Sequence, residues 1–395
     1  SMIEKGYTYS FDMLGEAART ESNAQMYFDA YLGAISDIGQ SISTKDIHKN
    51  AGISVKLSAL HSRYERSQRD DMLPIMVERV LILARAAAAS GIGLNIDAEE
   101  SDRLDLSLDV IGSVLSDSSL SGWDGFGVVV QAYDKRAPSF LDWLYRLTAG
   151  LNRRIMVRLV KGAYWDQEIK HAQVLGVDCY PVFSRKAHTD VSYLACGRKL
   201  LGMTDRIYPQ FATHNAHTVA AVLNMVGDYR QFEFQRLHGM GEALHEQIRI
   251  ESGASCRIYA PIGKHRDLLA YLVRRLLENG ASNSFVHQLR DKSVISADLA
   301  RDPIEVSEKN SFSAHSNISM PSDIFKGRRN SKGWNLNDPL DLLTIEDARS
   351  AFAHPYIWSA RSMTSLGIKG IERKSINPAV PTDVIGYVYD SNESD

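Results

Sequence analysis

The sequence predicts an α/β protein whose main domain is a closed (β/α)8 barrel. Short β-rich runs recur along the first three quarters of the chain, and most of the segments between them have helical patterning. Charged or amide side chains stand where many of these runs end. Eight strands alternating with helices over about 280 residues are typical of this barrel, whose functional groups gather at the carboxyl ends of its strands.

The predicted strands are short and bounded by turn signals. They cover residues 9–14, 53–59, 93–97, 127–132, 155–160, 208–213, 232–237 and 257–260. Among the connecting segments, 76–89 and 191–201 have the clearest helical pattern. A doubly wound sheet is the competing fold, but it needs a glycine fingerprint after its first strand. The nearest candidate, Gly239-Met240-Gly241, lacks the third glycine because Leu244 stands there.

Composition limits the function classes. The chain has 395 residues, 44% hydrophobic and 24% charged, which is ordinary for a soluble protein. A net charge of −3 gives no basic footprint, so we expect no nucleic-acid partner. Three cysteines without CxxC spacing indicate reduced thiols and a cytoplasmic location. No apolar run approaches the roughly 18 residues that a membrane span needs.

The composition and patterning of the sequence change after about residue 300. Segment 306–336 is polar and predicts a linker, 341–357 has some helical patterning, and 376–388 alternates like a strand hairpin. We therefore predict a barrel domain over 1–304 and a linker with a partial further segment over 305–395. The opening Ser1-Met2 is expected to be a cloning scar at the start of an excised domain.

The end of one predicted strand carries several residues suited to ligand binding. The run VRLVKGAYWD at 157–166 brings two cations, Arg158 and Lys161, next to Gly162 and two adjacent aromatics. Glycine permits close backbone approach, and the cations favour an anionic, flat ligand. The structural alternative is an ordinary Lys-Gly turn with aromatic rings covering the core.

The other strand ends repeat this polarity. The residues at or near these strand ends are, in chain order, Glu16, Lys56, Asp97, Gln131, Arg158 with Lys161, Thr213 with His214 and Asn215, His238 and Tyr259. A purely structural barrel does not need polar groups at so many of these ends. Each residue has a structural alternative, however, and Asp97 could simply stabilise the amino terminus of the next helix.

The helix predicted over DLLAYLVRRLLENG has two faces. Leu268, Leu269, Leu272 and Leu276 form an apolar stripe, and a second face carries Tyr271, Arg274, Arg275 and Glu278. Paired arginines bind a carboxylate through directed, charge-assisted hydrogen bonds. The alternative is an exposed Arg274–Glu278 ion pair without functional meaning.

Two other chemistries stay open on the residues alone. His214 and His217 have the spacing of two metal ligands on a helix, but the third ligand must come from elsewhere and the surroundings are cationic. Lys161 would suit a Schiff-base lyase on the same barrel. A phosphate-bearing cofactor beside Arg158 and Lys161 is favoured over both. A catalytically silent scaffold is the remaining alternative.

These segments together resemble a known family. They are GYTYSFDMLGEAA, ISVKLSALHSRY, NIDAEESDR, VVVQAY, VRLVKGAYWD, YPQFATHNAH, FEFQRLHGMGE, CRIYAPIG and LAYLVRRLLENGA. In this order, from about residue 6 to 304, they resemble the proline dehydrogenase domain of bacterial bifunctional proline utilization A. The segment INPAVPTDVIGYV resembles the opening of the aldehyde dehydrogenase half of that family. The sequence lacks the rest of that half, so we carry over neither aldehyde oxidation nor DNA binding.

The resemblance implies a distorted, TIM-like barrel that binds FAD non-covalently. It implies oxidation of L-proline to Δ1-pyrroline-5-carboxylate, the first step of proline catabolism to glutamate. The electrons would pass to a quinone acceptor, on an enzyme peripherally associated with the inner membrane. The missing aldehyde dehydrogenase half is an implied partner. No metal is implied.

The resemblance also implies roles for individual residues. Those implied to be catalytic are Asp97, Arg158, Tyr164, Arg274 and Arg275. Those implied to bind the substrate are Glu16, Lys56, Tyr164, Leu237, Tyr259, Tyr271, Arg274 and Arg275. Those implied to bind the cofactor are Ala98, Gln131, Arg158, Lys161, Gly162, Ala163, Trp165, Thr213, His214 and Glu278.

Overall fold

The computed structural model describes residues 2–42, 44–263, 268–280, 293, 295–353, 355–361 and 370–391. Two compact units make up the chain, Ser1–Asn335 and Leu336–Asp395. None of the helices within the described ranges is both long and apolar enough to cross a membrane.

The first unit contains a closed barrel of eight parallel strands, which confirms the predicted fold class. The strands are β1 Thr8–Met13, β2 Gly52–Val55, β3 Gly93–Ile96, β4 Phe126–Gln131, β5 Ile155–Val160, β6 Ile207–Ala212, β7 Glu233–Leu237 and β8 Ser255–Ile262. Each strand pairs with the next along the chain. The barrel closes where β8 pairs with β1, with Tyr259 opposite Ser10.

One predicted strand is too long. β2 ends at Val55, and Leu57–Ala59 form a 3₁₀ turn instead of continuing the strand. The carbonyl of Lys56 accepts from the amide of Ala59 at 3.1 Å, which closes that turn. Because the turn residues are buried and mostly apolar, their sequence pattern does not distinguish them from strand residues.

Helices connect the strands in the expected order. They are α1 Glu21–Gly39, α2 Arg69–Ala89, α3 Leu104–Ser116, α4 Ala137–Gly150, α5 Trp165–Leu175, α6 Lys186–Leu201, α7 Ala216–Met225, α8 Glu242–Ser252 and α9 Leu269–Gly280. Both predicted helices exist, but each begins earlier than predicted. In α2 the first turn carries Asp70 and Asp71, which favour a helix amino terminus but contribute nothing to an apolar stripe.

The barrel separates apolar from polar side chains. Outward residues such as Ile53, Leu94 and Val128 are buried against the surrounding helices and form the main core. The interior is polar, with hydrogen-bonded side chains that reach across the barrel. For example, Asn95 of β3 donates to Gln210 of β6 at 3.1 Å. A polar interior of this kind is stable only if its groups satisfy one another.

The first unit continues beyond the predicted boundary at residue 304. Asn330 donates to the carbonyl of Gln173 at the end of α5, at 3.0 Å. The amide of Gly333 donates to the carbonyl of Leu175 at 2.6 Å. Hydrogen bonds to backbone carbonyls require no apolar side chains, so the polar composition of 306–336 gives no sign of them.

The second unit contains a helix and a small sheet. The helix is Pro339–Ser350, which overlaps the predicted helical segment 341–357 but begins and ends earlier. The sheet has strands β9 Trp358–Arg361, β10 Ile371–Asn377 and β11 Val380–Asp390, in the order β10-β11-β9. β10 and β11 are antiparallel and form a hairpin as predicted, but β10 begins five residues before the predicted segment 376–388.

Breaking the ion pair at the amino-terminal end of the barrel interior should destabilise the protein strongly. Arg257 donates to both carboxylate oxygens of Glu233, at 2.7 and 3.0 Å, and also to three backbone carbonyls. Arg257→Met leaves Glu233 buried without its cation, so we expect the free energy of unfolding to fall by about 3–5 kcal/mol. Urea denaturation measures this loss.

Arg85→Met is the control, because Arg85 pairs with Asp117 on the protein surface. Exposed pairs contribute little, so this variant should unfold at nearly the wild-type urea concentration. Equal losses in the two variants would contradict a stabilising role for the buried pair.

Candidate active site

The centre of the site is the carboxylate of Asp97, which follows β3 directly. Its Oδ1 accepts from Arg158 Nη1 at 2.9 Å. Its Oδ2 accepts from Lys56 Nζ at 3.2 Å and from the hydroxyl of Tyr259 at 2.8 Å. The structure thus brings together four residues that the sequence places at four strand ends, β2, β3, β5 and β8. They form one hydrogen-bonded cluster at the carboxyl end of the barrel.

Arg158 is the most enclosed member of this cluster, with 3% of its surface exposed. Its Nε donates to Gln235 at 2.6 Å, Nη1 to Ser54 at 3.0 Å and Nη2 to Ser10 at 2.9 Å. The guanidinium carbon lies 5.0 Å from the centre of the Tyr259 ring. Strands on opposite sides of the barrel therefore hold this one cation.

Asp12 belongs to the cluster although sequence reasoning missed it. Its buried carboxylate accepts from Lys56 Nζ, so the ammonium lies between Asp12 and Asp97. The signal that could have identified Asp12 is the alternation of polar and apolar residues along the strand. Ser10 and Asp12 alternate with apolar residues along β1, so both face the interior.

Burial and charge together decide the ionisation of the cluster. Burial by itself raises the pKa of Asp97, but the neighbouring Lys56 and Arg158 more than offset it, and the net pKa lies below the ordinary value. Burial raises the pKa of Asp12, with Lys56 acting in the opposite direction. Although burial opposes it, the pKa of Lys56 is raised well above its ordinary value by Tyr259, Asp12 and Asp97. Asp97 is thus ionised and Lys56 is charged.

Helix α9 supplies further predicted groups. Tyr271 is buried, and the guanidinium carbon of Arg275, one turn later, lies 5.2 Å from the centre of its ring. The side chains of Arg274 and Glu278 lie outside the described part of the chain. Of the predicted apolar stripe, Leu269, Leu272 and Leu276 are exposed and Leu268 is half-buried.

Gln131 joins two loops of the predicted cofactor site. Its amide nitrogen donates to the carbonyl of Glu99 at 2.8 Å, and its oxygen accepts from the amide of Ala163 at 3.2 Å. Directly before Ala163, Gly162 has a φ of +141°, and a Cβ at this position would lie 2.4 Å from the ring of Tyr133. Glycine is therefore required for the path of this loop, and the close approach is to Tyr133.

Lys161 forms an ion pair that the sequence did not indicate. Its ammonium contacts the carboxylate of Asp190 on α6, and Lys186 binds the other oxygen of Asp190 at 2.7 Å. Despite burial, the two lysines hold the pKa of Asp190 below its ordinary value. The pair of lysines leaves this part of the rim cationic. Nearby, the indole nitrogen of Trp165 donates to the carbonyl of Phe183 at 2.8 Å.

His214 is a buried, neutral imidazole. Its Nε2 accepts from the amide of Leu237 at 3.0 Å, which requires that nitrogen to be unprotonated. Burial and then His245 lower the pKa of His214 to about 3. Among the residues that the structure describes, no group of three or more His, Cys, Asp or Glu side chains could hold a metal ion.

The remaining predicted residues also lie at strand ends. Glu16 is half-buried in the loop after β1, and its neighbour Ala17 donates to Ser58 at 3.0 Å. Tyr164 is half-buried directly before α5, and Thr213 is buried at the end of β6. Ala98 lines a cavity of about 40 Å³, which has room for an ordered water.

Proposed cofactor and substrate residues divide the rim into two halves. Ala98 and Thr213 follow β3 and β6, Gln131 ends β4, and Arg158 lies within β5. These are four neighbouring strands. With the exception of Tyr164, the predicted substrate residues belong to the other side, from β7 through β8 and α9 to β2. The predicted cofactor residue Glu278 is a second exception, because it belongs to α9 on this side. The hydrogen bonds of Asp97 with Lys56 and Tyr259 join the two halves. An elongated ligand on one half would thus contact a small ligand on the other.

Comparison with known proteins defines the class. A family profile described as proline dehydrogenase matches residues 1–288. The bifunctional protein PutA of Salmonella typhimurium is 46% identical over 99% of this chain and 31% of its own length. PutA of Escherichia coli K12 is 47% identical over 98% of this chain and 30% of its own length. The chain therefore belongs to the proline dehydrogenase family, and it spans about three tenths of these bifunctional relatives.

Solved structures agree with this family and with the barrel. A mutant of Bradyrhizobium japonicum proline utilization A matches with a TM-score of 0.85 and 51% identity, over 88% of this chain and 37% of that chain. Proline utilization A from Bdellovibrio bacteriovorus, inactivated by N-propargylglycine, matches with a TM-score of 0.86 and 26% identity. That match covers 99% of this chain and 42% of the Bdellovibrio chain.

Glu168 is a further buried carboxylate beside the site. It lies in the first turn of α5, and its Oε1 accepts from the amide of Ser101 at 2.7 Å, which joins α5 to the loop after β3. Burial, together with Asp102 and Asp134, raises the pKa of Glu168 to about 7.

Glu168→Gln should change the pH dependence of stability. Unfolded, the carboxyl titrates near 4.5, and folded near about 7, so the stabilisation is complete below pH 4.5 and is lost as the pH rises through 7. Between these values wild type should lose about 3 kcal/mol relative to the variant. Urea denaturation from about pH 5 to about pH 8 measures the difference.

Glu251→Gln, at an exposed position on α8, is the control and should keep the wild-type profile. Parallel profiles for wild type and Glu168→Gln would contradict the raised pKa.

Proposed function

We propose that this chain oxidises L-proline to Δ1-pyrroline-5-carboxylate with non-covalently bound FAD. The observation that carries the proposal is the buried Asp97–Arg158–Lys56–Tyr259 cluster at the carboxyl end of a barrel of the proline dehydrogenase family. Its fixed cations suit an anionic substrate beside an electron-accepting ring. When bound, FAD would supply the acceptor for the hydride that leaves the ring carbon next to the proline nitrogen.

The chemistry of the described residues fits this cofactor. Lys161 and Lys186 around Asp190 leave an excess of positive charge that suits phosphates. Arg158 is fixed against Tyr259 at the boundary of the two halves of the rim, where it would face the isoalloxazine. The residues proposed to hold FAD are Ala98, Gln131, Arg158, Lys161, Gly162, Ala163, Trp165, Thr213, His214 and Glu278.

We propose that charged residues bind the carboxylate of the substrate and that apolar residues enclose its ring. We assign the proline carboxylate to Lys56, Arg274 and Arg275, and assign Glu16 as a gate beside them. An apolar box around the ring would consist of Tyr164, Leu237, Tyr259 and Tyr271. Asp97 orients Lys56, Arg158 and Tyr259 at once, so it would set the spacing between the carboxylate site and the flavin.

Proline must lose its amine proton before or during hydride departure. Asp97 is a poor base because its pKa is lowered and its carboxylate already accepts from three donors. Lys56 keeps its own proton because its pKa is raised. We therefore assign the proton to water.

The family resemblance supports the remaining parts of the proposal. They are a quinone acceptor and a cytoplasmic enzyme peripherally bound to the inner membrane. The net charge of −3 supports the proposal that this part has no nucleic-acid partner. The relatives are bifunctional by name, and we propose that residues 305–395 are a linker and the opening of an aldehyde dehydrogenase half. We propose no metal.

Anaerobic titration tests the function. The purified chain should show flavin absorbance bands that bleach on addition of L-proline but not of D-proline. N-propargylglycine, which inactivates the Bdellovibrio relative, should inactivate this chain as well. A chain that binds no flavin, or a flavin that L-proline does not reduce, would overturn the proposal.

Arg275→Met should damage substrate binding more than flavin binding. Loss of a charge-assisted contact to a carboxylate costs about 1.5–3 kcal/mol, so the KM for proline should rise roughly 10- to 150-fold in a folded, yellow protein. Steady-state kinetics and the flavin content measure the two effects. The control is Arg230→Met on the surface, which should keep the wild-type KM. An unchanged KM in Arg275→Met would remove this residue from the site.

A further inference from the structure

Gln235 lies directly behind Arg158 in the barrel interior. It belongs to β7 and is 1% exposed. Its Oε1 accepts from Arg158 Nε at 2.6 Å, and its Nε2 donates to Glu233 Oε1 at 2.8 Å. A single amide therefore connects Arg158 to the buried Glu233–Arg257 ion pair.

The orientation of this amide is imposed by Glu233. The Glu233 carboxylate receives hydrogen bonds from Arg257, Gln210 and Gln235, so it acts only as an acceptor. The amide nitrogen of Gln235 must therefore face Glu233, and its oxygen must face Arg158. The hydroxyls of Ser10 and Ser54, in contrast, can rotate and lie 3.4 Å from each other. Unlike the two serines, Gln235 must present an acceptor to Arg158, because its donor nitrogen is bound to Glu233 on the other side.

We infer that Gln235 is a positioning residue that sets the orientation of the Arg158 guanidinium toward the flavin. The inference rests on the proposed function. An arginine has five N–H groups. Arg158 directs one to Gln235, two from Nη1 to Ser54 and Asp97, and one from Nη2 to Ser10. Within the described part of the chain, the fifth N–H, on Nη2, has no hydrogen-bond partner, so a ligand can accept from it, and its direction follows from the other four.

Gln210 offers a closely matched control. It lies on β6, is also 1% exposed, and donates to the same Glu233 oxygen at 2.9 Å. Its own oxygen accepts from Asn95 at 3.1 Å. Replacing either glutamine by methionine removes one donor from Glu233 and one acceptor from a buried N–H group. The variants differ in whether that N–H group belongs to Arg158 or to Asn95.

The test compares Gln235→Met with Gln210→Met in the FAD-loaded protein. Both variants should lose similar thermal stability. Gln235→Met alone should shift the flavin midpoint potential to a more negative value, because a displaced cation stabilises reduced flavin less. Its kcat should fall at least about tenfold, with a change in the KM for proline below about threefold. An equal potential shift in both variants, or none in Gln235→Met, would overturn the inference.

Two further measurements keep the test decisive. If a methionine variant does not fold, Gln235→Asn and Gln210→Asn replace the pair, because a shorter amide also withdraws its oxygen from the donor. Crystal structures of the flavin-free variants should show a rotated guanidinium only when residue 235 is changed, and an unrotated one there would overturn the inference. This comparison separates the two failures: wild type that binds no flavin overturns the proposed function, whereas the position of Arg158 decides the role of Gln235.

Discussion

The rest of the site depends on one constraint: a charged guanidinium inside a barrel needs hydrogen-bond acceptors on several sides. Arg158 finds them on β1, β2, β7 and after β3, in Ser10, Ser54, Gln235 and Asp97. An isolated buried charge is strongly unfavourable, so these four partners belong to the stability of the barrel as much as to its chemistry. The polarity of the interior is the price of placing a fixed cation beneath the rim.

Much of the barrel and part of the site can be predicted from the sequence because both rest on local patterns. The eight strands alternate with helices, and Lys56, Asp97, Arg158 and Tyr259 stand at or near their strand ends. Partners are harder to predict. Arg158 and Ser10 are separated by 148 positions, and nothing local to either residue identifies the other. Register around the closed barrel brings them together, and register is a property of all the strands.

Other features were missed for different physical reasons. Asp12 and Gln235 face inward from within strands, so an analysis of residues at strand ends does not include them. The alternation of polar and apolar residues along a strand is the signal that indicates them. The partner of Lys161 lies on a helix, Asp190 of α6, and a charged residue on a helix ordinarily indicates a solvated face. The turn over Leu57–Ala59 resembles a strand because the sequence records burial more clearly than backbone geometry.

Closure of the barrel by β8 has a consequence for synthesis of the chain. β8 brings Tyr259 to Asp97 and Arg257 to Glu233, and it pairs with β1 at the opposite end of the domain. A nascent polypeptide that has emerged only as far as β7 therefore holds Glu233 without its counter-ion and Asp97 without its phenol. Such long-range pairing comes late in folding. The growing chain thus stays without a competent pocket on the ribosome until its last barrel strand is released.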